Sequence, residues 1–129
     1  NLAGSGLINC EVRIVHGSWF AALPSELKNS FDLIVSNPPY IGLYDPSVDA
    51  SVRNYEPHLA LFAGADGLDA YRVIVAQAGE WLVTDGCLVL EIGYQQGDSV
   101  REILARNNFR QIEIRKDLAG RDRIAIAKI

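Results

Sequence analysis

Apolar and polar positions follow two different periods along this chain. Glu11 to Val15 (EVRIV) alternates and is rich in β-branched residues, the pattern of a strand. Phe31 to Ser36 (FDLIVS) is a short apolar run that suits a strand buried on both faces. Asn37-Pro38-Pro39 ends that run, because neither proline can donate a ladder hydrogen bond. From Leu68 to Val83 the period changes. Tyr71, Ile74, Val75, Ala78 and Leu82 fall at i, i+3, i+4, i+7 and i+11 and predict a helix with one apolar face. Asp66 and Asp69 place acid at its start, where the helix dipole favours it. Asp85-Gly86 predicts a turn, and Cys87 to Ile92 (CLVLEI) a second buried strand. Ser99 with Glu102 fits a capping box. The helix it opens turns Val100, Ile103 and Leu104 inward and stops near Asn107-Asn108. Gln111 to Arg115 and Arg123 to Lys128 both alternate, with Gly120 between them, and predict an antiparallel pair.

The order is strand, strand, long loop, helix, strand, helix, strand, strand. Such alternation predicts an α/β fold of one domain: a mostly parallel sheet with helices on both faces and one antiparallel strand near the C-terminus. The stretch from Gly42 to Gly67 is long and irregular, and a loop of that size in a compact domain is usually functional. Ligands of open α/β sheets sit beyond the carboxyl ends of the strands. Asn37-Pro38-Pro39-Tyr40 stands at such a place.

Composition narrows the class. The 129 residues are 49% hydrophobic and 22% charged, enough apolar surface to offset the ordering entropy of a globular domain. No run of roughly 20 apolar residues spans a membrane, and Asn1 to Asn9 lacks the pattern of a signal peptide. Two cysteines, Cys10 and Cys87, lie far apart without a CxxC, which points to a reducing, cytoplasmic setting. Twelve Lys+Arg against 16 Asp+Glu leave a net charge of −4, which argues against a nucleic-acid backbone as the main partner. His16 and His58 are isolated, so no metal site is expected.

The plain reading of Asn37 to Tyr40 is a strand stop with an Asn-Pro turn. The functional reading has specific content. An amide or exocyclic amino nitrogen is a poor nucleophile because its lone pair is delocalised. A site that alkylates it must hold both N–H groups and aim the lone pair. Asn37 offers a side-chain carbonyl as one acceptor. The backbone carbonyl of Pro38 offers a second, held by two prolines with φ fixed at about −65°. Tyr40 supplies a flat ring for a planar substrate group.

FDLIVSNPPYI resembles the motif of S-adenosylmethionine-dependent methyltransferases that modify planar nitrogen, including adenine-N6 DNA and guanine-N2 RNA enzymes. Three further stretches narrow the resemblance: VRNYEPHLALFAGADGLDAYR (Val52 to Arg72), LVLEIGYQQGDSV (Leu88 to Val100) and DLAGRDRIAIAK (Asp117 to Lys128). Together they resemble the HemK/PrmC family, the peptide-chain release factor glutamine N5-methyltransferases. The resemblance implies a partial Rossmann-like class I methyltransferase sheet. It implies S-adenosyl-L-methionine as donor, and as substrate the glutamine of the Gly-Gly-Gln loop of a release factor. It makes Asn37, Pro38 and Tyr40 catalytic, Asn37 to Tyr40 the substrate-binding segment, and Trp19 and Asn37 donor-binding residues. His16 to Phe20 (HGSWF) matches the place where the family usually has Gly-Asp-Trp-Phe, with Ser18 instead of the acid. Without the resemblance, Trp19 reads as a core aromatic.

Other positions carry weaker signals. Glu56 reads either as a brace behind the Asn-Pro-Pro-Tyr turn or as an exposed loop acid. Glu91 ends a buried strand and so needs a partner or the open end of the sheet. Arg121, Arg123 and Lys116 could meet an acidic partner or form a solvated hairpin tip. Gly4-Ser5-Gly6 is too short for a glycine-rich cofactor loop. The glycine-rich donor turn, the ribose-binding acid and the family's N-terminal helical domain have no counterpart in residues 1–129. The chain is therefore expected to be the C-terminal portion of the methyltransferase domain, inactive alone. The alternatives are a non-catalytic half-domain that associates through an open sheet edge, and a methyltransferase for nucleic-acid amino groups.

Overall fold

The computed structural model describes residues 11–41 and 64–129. Two short 3-10 helices, Trp19–Ala22 and Ser25–Leu27, precede strand β1 (Phe31–Ser36). Helix α1 (Asp69–Ala78), strand β2 (Leu82–Glu91), helix α2 (Gly97–Arg106), and strands β3 (Arg110–Lys116) and β4 (Asp122–Lys128) follow. They form a four-stranded sheet of order β1-β2-β4-β3. β1 pairs with β2 in parallel, and β4 pairs antiparallel with both β2 and β3. Three strands thus share one direction and β4 opposes them, the single reversed strand that the terminal pair predicts.

One core holds this together. Tyr71, Ile74, Val75 and Ala78 of α1 and Val100 and Leu104 of α2 pack on Leu88, Leu90, Ile92, Ala125 and Ala127 of the sheet. The registers Leu88↔Ala127 and Leu90↔Ala125 set these residues on the same face. Both described helices therefore cover one face of the sheet. The reason is topological. The crossovers from β1 to β2 and from β2 to β3 move the same way across the sheet. Connections of one hand then put both helices on one side. The opposite face carries Leu33 and Val35, 53% and 67% exposed.

Three element boundaries differ from the sequence pattern. Glu11 to Val15 forms no strand, and Val12, Ile14 and Val15 are exposed. Alternation makes a segment fit for a ladder, but no described strand lies beside this one to supply hydrogen bonds. Helix α1 stops at Ala78 rather than Val83. The carbonyls of Glu80 and Trp81 instead accept N–H bonds from Asn29, Ser30 and Phe31. Leu82, on the helix face by periodicity, is buried in β2. Asp85-Gly86 is a bulge within β2, not a turn before it. The pairing steps from Phe31↔Leu82 to Leu33↔Cys87, and Asp85 takes φ +63°.

Helix α2 begins two residues before the expected cap. Its N-cap is Gln96, which makes no side-chain cap bond, so Ser99 lies inside the helix and the capping box does not form. The turn between β3 and β4 is organised by Asp117, whose Oδ1 accepts the N–H groups of Ala119 and Arg121. Those bonds, the Arg121 N–H first, hold its carboxyl below the usual range. Arg123 and Lys116 pair with Asp117 and Asp122, and Arg121 lies over the Tyr94 ring. These cations are engaged within the exposed tip. No described helix is long and apolar enough to cross a membrane.

Leu90 is fully buried at the centre of the core. Leu90→Ala should cost about 3 kcal/mol, by transfer and cavity terms. Urea unfolding of the 129-residue chain checks this; a loss below about 1 kcal/mol would place Leu90 outside the core.

Candidate active site

The site is built where two parallel strands end side by side. The register Ser36↔Leu90 puts Asn37 next to Glu91 and the Asn37–Tyr40 turn beside Ile92 and Gly93. Both prolines follow directly from β1, so the chain leaves the ladder here. Pro38 is buried, Pro39 and Tyr40 are half-buried, and Asn37 is exposed at the open end of the sheet. Tyr40 packs against the core. Its hydroxyl lies 3.5 Å from Glu91 Oε1, at the outer limit of a hydrogen bond. Glu91 thus has its partner at the sheet's open end.

Gln96 ties this turn to its surroundings. Its Nε2 donates to the Tyr40 carbonyl at 2.9 Å and to the Gly67 carbonyl at 3.3 Å. Its Oε1 accepts from the Gly93 N–H at 3.0 Å and faces the Tyr71 hydroxyl at 3.2 Å. The same hydroxyl reaches the Glu91 carbonyl at 3.2 Å. Gly93 leaves room for this packing: a Cβ there would meet Gln96 Oε1 at 2.7 Å, so the amide would have to shift from its partners. On the far side, Arg72 pairs with Asp66 and Asp69 and fixes the start of α1. The Arg72 bond holds the Asp66 carboxyl below its ordinary range.

Tyr71 lies in the core with only its hydroxyl in a polar setting. Burial holds that phenol neutral well above its ordinary titration range.

Trp19 opens the first described 3-10 helix. It is 43% exposed with φ +48°, so the core-aromatic reading does not hold for it. Its neighbour Phe20 is the anchor, stacked on Trp81 at 5.7 Å between centroids. No hydrogen bond or ring contact joins Trp19 to Asn37–Tyr40 among the described residues. Glu56, His58, Cys10 and Gly4-Ser5-Gly6 lie outside the described residues. Gln96 and Tyr71 belong to the site and escape a reading by motif. Tyr71 reads as plain helix core. Gln96 sits within LVLEIGYQQGDSV, where Gly93, three residues earlier, is the local sign of a close approach.

No protein-family model matches the chain. Individual proteins do. The release factor glutamine methyltransferase of Pseudomonas aeruginosa is 45% identical over 122 residues, 95% of this chain and 42% of that protein. That of Francisella tularensis is 41% identical over 118 residues, 92% of this chain and 40% of that protein. Over most of its length the chain is thus similar to release factor glutamine methyltransferases. It spans less than half the length of those relatives. A bifunctional methyltransferase of Rickettsia felis is 41% identical over 116 residues, 89% of this chain and 21% of that protein. The fold agrees. The crystal structure of a release factor-specific protein-(glutamine-N5) methyltransferase from Alicyclobacillus acidocaldarius superposes with a TM-score of 0.52 at 29% identity. It covers 81% of this chain and 52% of that one.

A pH titration tests the Tyr71 environment. The folded chain keeps this phenol protonated, whereas the unfolded chain ionises it near pH 10. Its contribution to stability is therefore present below that pH and is lost as pH rises towards the folded-state value. Subtracting the tyrosinate absorbance curve of Tyr71→Phe from that of the wild type should show no ionisation before alkaline unfolding. A tyrosinate signal near pH 10 in the folded chain would contradict the assignment.

Proposed function

We propose that this chain carries the substrate half of an S-adenosylmethionine-dependent methyltransferase. The enzyme acts on the side-chain amide of the glutamine in the Gly-Gly-Gln loop of a peptide-chain release factor. One observation carries the reading. Asn-Pro-Pro-Tyr stands at the carboxyl end of β1, beside the end of β2, within a stretch 45% identical to a release factor glutamine methyltransferase.

The chemistry suits these groups. Asn37 Oδ1 and the Pro38 carbonyl would accept the two N–H groups of the substrate amide, turning its nitrogen towards the donor. Tyr40 would pack its ring on the amide plane. S-adenosylmethionine, when bound, would supply an electrophilic methyl group on a sulfonium, with S-adenosylhomocysteine and one proton as the by-products of its transfer to nitrogen. The chain's task is thus orientation, and positioning of this kind can supply several kcal/mol of the barrier reduction. The residues fit the donor in part. Asn37 is exposed at the strand end for its methionine portion, and Trp19 offers an exposed ring for its adenine. In this reading the chain corresponds to the C-terminal portion of the domain and works in the cytoplasm, where release factors act. The net charge of −4 favours a protein over a nucleic-acid substrate.

A second reading rests on β1, which lies at the edge of the described sheet with Leu33 and Val35 exposed. Such an edge can pair with another chain. Sedimentation of the 129-residue chain should then show a concentration-dependent dimer that Val35→Lys abolishes; a monomer at all concentrations removes this reading.

The catalytic reading is tested by replacing the matching segment of the Pseudomonas aeruginosa relative with this chain. The chimera should add one methyl group to the Gly-Gly-Gln glutamine of a release factor, read by mass spectrometry. Asn37→Ala in it should lower kcat roughly 100-fold, about 3 kcal/mol, as does loss of one preorganised polar group. Near-normal kcat removes Asn37 from catalysis, and a chimera that folds without methylating the glutamine overturns the assignment.

A further inference from the structure

We infer that Gln96 is a positioning residue for the Asn37–Tyr40 turn, setting its conformation through the Tyr40 carbonyl. The inference rests on the reading of that turn as the substrate site. Gln96 belongs to another element, the start of α2, 56 positions along the chain. Its amide meets four segments at once: the turn through Tyr40, the loop before α1 through Gly67, the end of β2 through Gly93, and α1 through Tyr71.

The orientation of this amide is fixed by its neighbours. Nε2 faces two carbonyl oxygens, and Oε1 faces an N–H and a hydroxyl. A flipped amide would set oxygen against both carbonyls and NH2 against the N–H. Gln96 is therefore not exchangeable for Glu, despite equal size. An ionised carboxylate would turn an oxygen towards the Tyr40 and Gly67 carbonyls and repel them. Protonated, it would donate one O–H to the Tyr40 carbonyl and accept at the other oxygen, restoring the main contact.

The turn cannot brace itself. Its two prolines carry no N–H, so the segment's own backbone has few donors to give. The Tyr40 carbonyl is where the turn is gripped from outside. A shift there moves Pro38 and Asn37, the proposed acceptors of the substrate amide, two and three residues earlier. Tyr40 also packs its ring against the core, so an unpinned carbonyl loosens the ring as well.

Two measurements on Gln96→Glu test this separately from the function. In 15N NMR of the 129-residue chain, the amide signals of Ser36, Asn37, Tyr40 and Gly67 should move away from wild type at neutral pH. They should return as pH falls through the titration of the new carboxyl, which the facing carbonyls raise. If they match wild type at neutral pH, the inference fails whatever the enzyme does. In the chimera, kcat should fall roughly tenfold or more at neutral pH. The ratio of variant to wild-type kcat should recover in acid. An equal kcat at neutral pH overturns the positioning role, whereas an inactive wild-type chimera overturns the function and leaves the NMR result to judge the geometry. Gln96→Met serves if the Glu variant does not fold: it should lose kcat, and move the same signals, with no recovery in acid. A Met variant with wild-type signals and kcat would equally sink the inference.

Discussion

The parallel pairing of β1 with β2 is the constraint on which the site depends. Strands that run together end together, and the register Ser36↔Leu90 sets Asn37–Tyr40 against Glu91–Gly93. Had β1 paired antiparallel, its carboxyl end would lie at the opposite edge, far from the start of α2. Parallel pairing needs a crossover, and α1 supplies it. Its apolar face, Tyr71 to Ala78, packs the same face of the sheet as α2, so the crossover that permits the register also builds the core.

The site is a polar layer resting on that core. Tyr71 shows the junction in one side chain, with its ring buried in the core cluster and its hydroxyl turned to the Glu91 carbonyl and Gln96. Buried polar groups must be satisfied, and a connected network that satisfies them also fixes geometry. Gln96 meets this demand with both ends of its amide. Gly93 leaves the room that the amide needs. The same economy holds at the hairpin, where one carboxylate, Asp117, organises the turn.

The places where the chain departs from its local pattern share one cause: backbone groups are claimed by distant partners. The predicted helix to Val83 ends at Ala78 because the carbonyls of Glu80 and Trp81 accept from Asn29, Ser30 and Phe31 at the start of β1. Asp85-Gly86 becomes a bulge because β2 must reach both Phe31 and Leu33. The capping box at Ser99 is bypassed because α2 starts where Gln96 is held. Each local signal is chemically sound, and each is outweighed by contacts from outside its own window.

Sequence alone determined the class of each element and marked the candidate site. Period and composition placed β1, α1, β2, α2 and the terminal hairpin, because burial imposes the same period on any helix or strand with one apolar face. The Asn-Pro-Pro-Tyr segment was legible because prolines end a strand wherever they stand. The tertiary structure decided what no window of sequence contains: that both described helices share one face, that Phe20 rather than Trp19 is the packed aromatic, and that Gln96 grips the turn. Those facts depend on which strands become neighbours. Pairing is settled by the summed contacts of residues tens of positions apart, while propensity and periodicity report only on neighbours within a turn or two.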